Sequence, residues 1–125
     1  MRKVISSELA PAAIGPYSQG IKTEKLVFTS GQIPINPASG KITAQTIEEQ
    51  TEQVMKNLKA VLAESGVGMD RIVKTTCFLS DMADFAAFNA GYGKYFPENA
   101  PARSCVQAAA LPMGAKVEVE CVAVR

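Results

Sequence analysis

Three short segments hold most of the side chains of this sequence that could take part in chemistry. They are Ile14–Gly20 (IGPYSQG), Thr29–Pro34 (TSGQIP) and Pro101–Pro112 (PARSCVQAAALP), and the third is soon followed by Lys116–Glu120 (KVEVE). Together they carry a tyrosine, several serines, an arginine, a cysteine and two glutamates. Taken singly, each segment can equally be a turn, a strand end or a solvated surface, so a functional interpretation depends on their combination.

The chain contains no histidine, which excludes Ser-His-Asp triads, Cys-His pairs, HExxH helices and imidazole metal sites. Its three cysteines, Cys77, Cys105 and Cys121, are an odd number without close spacings, which argues against a disulfide framework and a zinc site. Each lies in an apolar, strand-like run, as is typical of a small buried hydrophobe. Any catalysis must therefore use carboxylates, arginine, lysine, tyrosine, hydroxyls, thiols, amides or backbone groups.

Length and composition indicate one folded domain over residues 1–125, because 47% of the residues are hydrophobic and 20% are charged. The formal net charge of +1 and the lack of a basic run mean that a nucleic-acid partner is not expected. No apolar stretch is long enough for a membrane span. Ser6, Ser7 and Glu8 interrupt any apolar signal region, so a cytoplasmic location is expected.

The elements that must position these segments alternate along the chain. Strands are predicted at 3–5, 18–22, 25–30, 71–80, 103–111 and 115–124, and helices at 47–65 and 83–96. Thr46 and Glu49 form a capping box for the first helix, and Gly66 is suited to end it. Prolines and glycines make 8–17 and 31–41 irregular loops, and the LPMG turn predicts a hairpin between the last two strands.

The order β-β-β-α-β-α-β-β predicts an α+β fold with two helices on one face of a mixed sheet. Two helices can cover only one face, and the terminal strands carry apolar residues on both faces. An uncovered apolar face is typical of a partner surface, so we expect a homo-oligomer.

The sequence as a whole resembles the RidA (YjgF-like) family of imine deaminases, which are also described as translation inhibitors or endoribonucleases. The resemblance runs nearly end to end. It covers GPYSQG, SGQIP with its following NPASG, IVKTTCFLSDMADFAAFN, PARSCV and the final VEVECVAV. It implies a chorismate-mutase-like fold, a homotrimer with active sites between subunits, and no cofactor or metal. The implied substrates are 2-iminopropanoate and 2-iminobutanoate, which are hydrolysed to 2-oxo acids and ammonia.

The resemblance also implies roles for individual residues. Arg103 would bind the substrate carboxylate through two parallel hydrogen bonds, and Glu118 would orient and deprotonate the attacking water. Glu120 is expected on the same strand face and remains an alternative base. The implied substrate-binding residues are Tyr17, Ser30, Gly31, Asn89, Arg103 and Cys105, where Gly31 and Cys105 contribute backbone groups. Cys105 has no partner that would activate it as a nucleophile.

The sequence is also compatible with two other functions: RNA cleavage or translation inhibition, and ligand binding by a regulatory trimer without turnover. The predicted hairpin would place Arg103 opposite Val124 and Glu118 opposite Ala109. With these pairs, Arg103 and Glu118 would lie roughly 20 Å apart at the usual rise along a strand. A single 2-imino acid could not contact both residues in one subunit, so we expect an active site shared between chains.

Overall fold

The computed structural model describes residues 1–125 and contains one six-stranded sheet with two helices packed on one face. The strand order is β1-β2-β3-β8-β6-β7, and every neighbouring pair is antiparallel except β6 and β7. A separate hairpin joins β4 to β5. The strands are β1 (Lys3–Ile5), β2 (Gly20–Lys22), β3 (Leu26–Thr29), β4 (Ile35–Asn36), β5 (Lys41–Ile42), β6 (Ile72–Leu79), β7 (Ala102–Gln107) and β8 (Val117–Val124).

Helix α1 (Ile47–Glu64) begins at the predicted residue and ends one residue before the predicted end, with Ser65 as its C-cap. The Thr46 hydroxyl accepts a hydrogen bond from the Glu49 amide at 3.1 Å, which satisfies one of the free N–H groups of the first turn. Gly66 follows the helix at φ 82°, in the left-handed region that glycine adopts without steric cost. The helix buries an apolar stripe against the sheet and against the second helix, with Val54, Met55, Leu58, Val61 and Leu62 fully enclosed.

Helix α2 (Phe85–Gly93) is shorter than the predicted 83–96 segment. A 3-10 turn over Met82–Asp84 precedes it, and the Asp81 side chain caps that turn by accepting a hydrogen bond from the Ala83 amide. Phe88 and Tyr92 are its buried residues, and the Tyr92 hydroxyl shares a 2.7 Å hydrogen bond with Thr75 of β6. Neither helix combines the length and the apolar character needed to cross a membrane.

The predicted hairpin between the last two strands is wrong. β7 ends at Gln107 instead of residue 111 and pairs in parallel with β6, and β6 lies between β7 and β8. The Leu111–Ala115 connection therefore crosses the end of the sheet without joining neighbouring strands. Sequence proximity favoured a hairpin, but a β6-α2-β7 crossover places β7 on the free edge of β6.

The loop predicted at 31–41 contains short regular structure, because Ile35–Asn36 and Lys41–Ile42 form the two-stranded β4–β5 hairpin. Gly40 has a φ of 73° at its turn, which a residue with a side chain would adopt only with strain. The prolines exclude long strands in this segment, but two-residue strands on either side of a tight turn remain compatible with them.

The sheet face turned away from the helices is uncovered within one chain, and we call it the open face. It carries the alternate side chains of the strands, which point away from the core. The apolar ones include Val4, Ile21, Phe28, Phe78, Val106 and Val122, and Glu118 and Glu120 lie among them on β8. Val4, Phe28 and Val106 are more than 40% exposed, so this face has the apolar character of a partner surface.

Candidate functional site

The ladder between β3 and β8 is interrupted beside Glu118. It pairs Phe28 with Val122, and the backbone groups of Gln32 and Val119 exchange hydrogen bonds of 2.8 and 3.1 Å further along. Between these pairs, the Cys121 amide donates to the Thr29 hydroxyl at 3.0 Å instead of to a backbone carbonyl. Ser30 and Gly31 therefore form no backbone pair with β8.

Gly31 and Glu118 occupy the same small space. A Cβ atom on residue 31 would lie 2.8 Å from the Cδ atom of Glu118 and still closer to its carboxylate oxygen. Because carbon atoms do not normally approach so closely, only glycine leaves the Glu118 carboxylate free to lie across this backbone. The Ser30 hydroxyl is anchored next to it by donating a 2.6 Å hydrogen bond to the Ser18 carbonyl.

These residues line a cavity of about 390 Å³. Tyr17, Ser30, Gly31 and Glu118 all contribute to its wall, so four of the residues implied by the resemblance come together in one chain. Glu118 is the only charged residue of the lining. The remaining lining residues are Pro11, Ile14, Gln19, Gln32, Ile33, Ile35, Pro112 and Met113.

Burial raises the pKa of Glu118 above the usual glutamate value, and the negative charge of Glu120 raises it further. Both carboxylates project from the open face, as expected from their two-residue spacing, but Glu120 is exposed and lies outside the cavity wall. A carboxylate with a raised pKa in a partly enclosed cavity is a stronger base than a solvated one. This geometry favours Glu118 over Glu120 as the candidate base.

Buried amide side chains hold the loops of the cavity, although no motif of the sequence predicted this role for them. Gln19 accepts a 2.5 Å hydrogen bond from the Ser7 amide and donates to the Pro11 carbonyl at 2.7 Å. Asn57 of α1 donates to the carbonyls of Ile33 and Ile35 at 3.1 and 2.9 Å. Asn57 interrupts the apolar stripe of α1, and a polar residue at such a position is the signal that could have revealed it.

Arg103 lies elsewhere in the chain, on the other face of the sheet. It pairs with Thr75, whose side chain is buried against α2. Its guanidinium donates a 2.7 Å hydrogen bond to the Asn89 side chain, and its central carbon lies 4.9 Å from the centre of the Tyr92 ring. The guanidinium is thus surrounded by uncharged side chains of α2, which we call the α2 cradle: Phe85, Phe88, Asn89 and Tyr92.

The α2 cradle holds a guanidinium without neutralising its charge. The one ion pair of the chain within 4.0 Å joins Lys56 to Glu52, and no carboxylate pairs with Arg103. Stacking against aromatic rings favours a cation and leaves its outer N–H groups free. An arginine held in this way can bind a carboxylate through two parallel hydrogen bonds.

Cys105 lies on β7 near Arg103, and burial raises the pKa of its thiol. The raised pKa disfavours the thiolate, so the geometry offers no activated nucleophile. Ala108 donates its amide to Leu79 of β6, and backbone groups alternate in direction along a strand. The backbone groups of Arg103 and Cys105 consequently point to the free edge of β7, where a ligand or another chain can reach them.

The candidate site therefore has two halves in each chain. Tyr17, Ser30, Gly31 and Glu118 form one half at the cavity, which we call the cavity half. Arg103, Asn89 and Cys105 form the other half at the edge of β7, which we call the arginine half. No group of three or more His, Cys, Asp or Glu side chains is placed to hold a metal ion.

Comparison with known proteins agrees with the resemblance seen in the sequence. The family model described as endoribonuclease L-PSP matches residues 7–125. The 2-iminobutanoate/2-iminopropanoate deaminase of Escherichia coli K12 is 48% identical over 128 residues, which cover 100% of this chain and 99% of that protein. The chloroplastic Reactive Intermediate Deaminase A of Arabidopsis thaliana is 52% identical over 122 residues, or 98% of this chain and 65% of that longer protein.

Solved structures share the fold. The YjgF gene product of E. coli superposes with a TM-score of 0.94 at 45% identity, over 98% of each chain. The E. coli TdcF structure with bound serine gives a TM-score of 0.94 at 43% identity, again over 98% of each chain. With a family model matching nearly the whole chain and relatives near 50% identity, this chain belongs to the endoribonuclease L-PSP family, also known as the YjgF/RidA family.

Proposed function

We propose that this protein hydrolyses 2-imino acids such as 2-iminopropanoate and 2-iminobutanoate to 2-oxo acids and ammonia. The observation that carries the proposal is the Glu118 carboxylate, which has a raised pKa and lies against Gly31 in a cavity lined by Tyr17 and Ser30. The names of the E. coli and Arabidopsis relatives support deamination of reactive intermediates.

The chemistry requires one base and one oriented water. Glu118 accepts a proton from the water as its oxygen forms a bond to the imine carbon, and the electron pair of the C=N bond moves to the nitrogen. Protonated Glu118 returns that proton to the nitrogen, which gives the carbinolamine. Glu118 then transfers the proton of the new hydroxyl group to the amino group, and the electron pair of the O–H bond forms the C=O bond as the C–N bond breaks and ammonia leaves. Tyr17 and Ser30 can donate hydrogen bonds to the nitrogen or the water. Because imines are reactive, orientation and one base suffice without a cofactor or metal.

Arg103 binds the substrate carboxylate in this mechanism. Within one chain the arginine half faces α2 and the cavity half faces the opposite side of the sheet. The guanidinium must therefore come from a neighbouring subunit. We propose a homotrimer in which the edge of β7 of one subunit meets the open face of the next. Burying the exposed apolar residues of the open face would supply the driving force for this assembly.

Two alternatives receive less support. RNA cleavage is suggested by the description of the family, but the formal net charge is +1 and the cavity contains no cationic side chain. A trimer that only binds small carboxylates is suggested by the serine in the TdcF structure. A binder of this kind needs Arg103 but has no use for a carboxylate at Glu118, which favours turnover. A cytoplasmic location stays an expectation.

A coupled assay tests the proposal. A threonine dehydratase releases the enamine that becomes 2-iminobutanoate, and the appearance of 2-oxobutanoate and ammonia is timed with and without this protein. We expect a marked acceleration beyond the spontaneous rate that depends on protein concentration. An unchanged rate at all concentrations of folded protein would exclude imine hydrolysis and leave the binding trimer as the better hypothesis.

A further inference from the structure

The ring of Tyr92 is the aromatic ring closest to the Arg103 guanidinium. The central guanidinium carbon lies 4.9 Å from its centre, compared with 5.5 Å for Phe85 and 6.0 Å for Phe88. A cation within about 6 Å of an aromatic ring centre is attracted by the ring face, and the attraction is strongest where water is excluded. Tyr92 is 6% exposed, so its ring is largely screened from water.

The hydroxyl group of Tyr92 fixes this ring to the sheet. It shares a hydrogen bond of 2.7 Å with the hydroxyl group of Thr75, which is fully buried on β6. Thr75 is also the residue of β6 that pairs with Arg103 of β7. The strand position that carries the arginine and the hydrogen bond that holds the ring therefore meet at one residue. A displacement of α2 relative to the sheet would break this hydrogen bond.

Stability alone does not require this polar pair. Valine and phenylalanine have nearly the shapes of threonine and tyrosine, and replacing both partners of a buried hydrogen bond by apolar groups of the same shape can be almost neutral. Phe88 and Phe96 pack on Tyr92 with ring centres at 5.4 and 4.8 Å, so an apolar ring would also be enclosed. The hydroxyl pair adds a fixed distance and direction between the ring and β6, because a hydrogen bond is directional and apolar packing is not.

The surroundings of the guanidinium stay uncharged. Burial raises the pKa of Tyr92, so its hydroxyl keeps its proton at neutral pH. The thiol of Cys77, which contacts the Thr75 hydroxyl, is also neutral because burial raises its pKa to about 12. The guanidinium has one hydrogen bond in the chain, to the neutral side chain of Asn89 at 2.7 Å. The charge of Arg103 is therefore left for a carboxylate from outside.

We propose that Tyr92 is a positioning residue for Arg103, and that its hydrogen bond to Thr75 sets the ring where it holds the guanidinium ready for a carboxylate. The ring restricts the arginine side chain before the ligand arrives, so less side-chain entropy is lost when two parallel hydrogen bonds form. The inference rests on one part of the proposed function, namely that Arg103 binds the substrate carboxylate. It requires neither Glu118 nor turnover.

Calorimetric titration with 2-oxobutanoate tests the inference without turnover. Tyr92→Leu removes the ring and should weaken binding about ten-fold, the equivalent of about 1.4 kcal/mol and within the range of one desolvated contact between a cation and a ring. Tyr92→Phe keeps the ring and should weaken binding about three-fold, less than the full contribution of one buried hydrogen bond. Thr75→Val should match Tyr92→Phe. The double variant should bind no more weakly than either single variant, because both changes remove the same hydrogen bond.

The position of the guanidinium itself gives a readout that a purely structural role would not move. An aromatic ring shields protons that lie over its face. In protein with isotope-labelled arginine, the Nε–H resonance of Arg103 is assigned by its loss in Arg103→Ala. We expect a lower proton shift than that of an exposed arginine, and a return toward the exposed value in Tyr92→Leu.

Tyr95→Leu is the matched control. Tyr95 is also a hydrogen-bonded tyrosine next to α2, since its hydroxyl donates to Glu52 at 2.9 Å. Its ring is not among those that lie over Arg103. The control should keep the wild-type affinity for 2-oxobutanoate and the wild-type resonance of Arg103.

Wild-type affinity or an unchanged Arg103 resonance in folded Tyr92→Leu would overturn the inference, and so would an equal loss of affinity in Tyr95→Leu. If Tyr92→Leu does not fold, Tyr92→Phe and Thr75→Val decide, because wild-type affinity in both would overturn the role of the hydrogen bond. Absence of 2-oxobutanoate binding by the wild type would overturn the inference as well. The expected pattern of affinities in a protein that does not accelerate imine hydrolysis would support the inference and overturn the proposed function.

Discussion

Arg103 and Glu118 lie on opposite faces of one sheet. Arg103 pairs with Thr75, whose side chain is buried against α2, whereas Glu118 pairs with Phe78 on the open face. The sheet itself therefore separates the guanidinium from the carboxylate within a chain. A ligand as small as a 2-imino acid cannot contact both groups in one subunit, although each group has the environment that its proposed role requires.

Replacing the arginine tests the proposed binding of the substrate carboxylate. Arg103→Ala should lower kcat/KM by about 100-fold or more, because each hydrogen bond to a charged group contributes about 1.5–3 kcal/mol and two are lost. The measurement is the coupled dehydratase assay, with circular dichroism as the check on folding. Arg103→Lys should restore little, since an ammonium cannot present a planar fork. Near-normal activity of folded Arg103→Ala would show that the carboxylate is bound elsewhere.

The role of Glu118 is tested by an isosteric change. Glu118→Gln should lower kcat by about 100-fold or more, the usual contribution of a positioned base, while binding of an unreactive 2-oxo acid changes little. Steady-state kinetics and calorimetric titration with 2-oxobutanoate separate the two effects. Glu120→Gln is the matched control, because it removes a carboxylate from the same strand face outside the cavity. Loss of turnover in the control alone would move the base to Glu120.

The raised pKa of Glu118 predicts a pH dependence. The carboxylate acts as a base only when it is ionised, so kcat/KM should fall as the pH is lowered through its pKa. This fall is the acid limb of the pH profile. Glu120→Gln should move it to lower pH, because the Glu120 charge is the second cause of the raised value. A guanidinium from a neighbouring subunit would lower the pKa in both proteins and leave the direction of that shift unchanged.

Glu118 should contribute to the free energy of unfolding with a pH dependence opposite in sign to that of an ordinary ion-paired carboxylate. A glutamate whose pKa is higher in the folded state holds its proton more tightly when folded. Its contribution to stability is therefore most favourable at acid pH and is lost as the pH rises through the raised value. Urea unfolding across this range should show that Glu118→Gln removes part of the destabilisation at neutral pH. In the activity measurements described above, an acid limb of kcat/KM that stays at the same pH in Glu120→Gln would argue against coupling of the two carboxylates.

Replacing Gly31 tests whether the position of the Glu118 carboxylate matters for turnover. Gly31→Ala would place a Cβ atom 2.8 Å from Glu118 Cδ, and the flexible Glu118 side chain would move to relieve the contact. We expect kcat/KM to fall by about 100-fold, the cost of displacing a catalytic group by about 1 Å, with a small change in Tm. Gly93→Ala is the control, because a Cβ there meets nothing within 4 Å. Wild-type activity of Gly31→Ala would show that turnover tolerates a displaced carboxylate.

Local signals in the sequence predicted some elements well. α1 was predicted with its cap, its buried stripe and its terminal glycine because all three are encoded within one segment. The last two strands were misassigned because strand pairing is not local. β7 and β8 are neighbours in sequence, but β6 lies between them in the sheet, and no residue in the connecting turn encodes this order.

The candidate site was likewise predicted only in part. The motif residues Tyr17, Ser30, Gly31 and Glu118 were predicted from sequence, and the structure brings them to one cavity. The amides of Gln19 and Asn57 were not predicted, since their role depends on carbonyl groups that only the folded loops present. The α2 cradle around Arg103 was not predicted either, because residues of α2 contact β7 only after the β6-α2-β7 crossover has formed.

The last prediction is that the two halves of the site come from different chains. The sequence led to this idea through a hairpin register that the structure contradicts, since Arg103 lies opposite Thr75 instead of Val124. The idea nevertheless gains support, because residues on opposite faces of a sheet are separated more completely than residues at a distance along one face. The free backbone groups of Arg103 and Cys105 at the edge of β7 also give the arginine half access to a neighbour.

Mixing two inactive proteins tests the shared site. Arg103→Ala and Glu118→Gln chains are unfolded together in equal amounts, refolded and assayed with the dehydratase. If each site takes its arginine and its glutamate from different chains, about a quarter of the sites in randomly assembled symmetric oligomers contain both intact residues. We therefore expect about a quarter of the wild-type activity, while each protein refolded alone stays inactive. Mass spectrometry establishes that mixed oligomers have formed, and mixed oligomers without activity would place both residues in the same subunit.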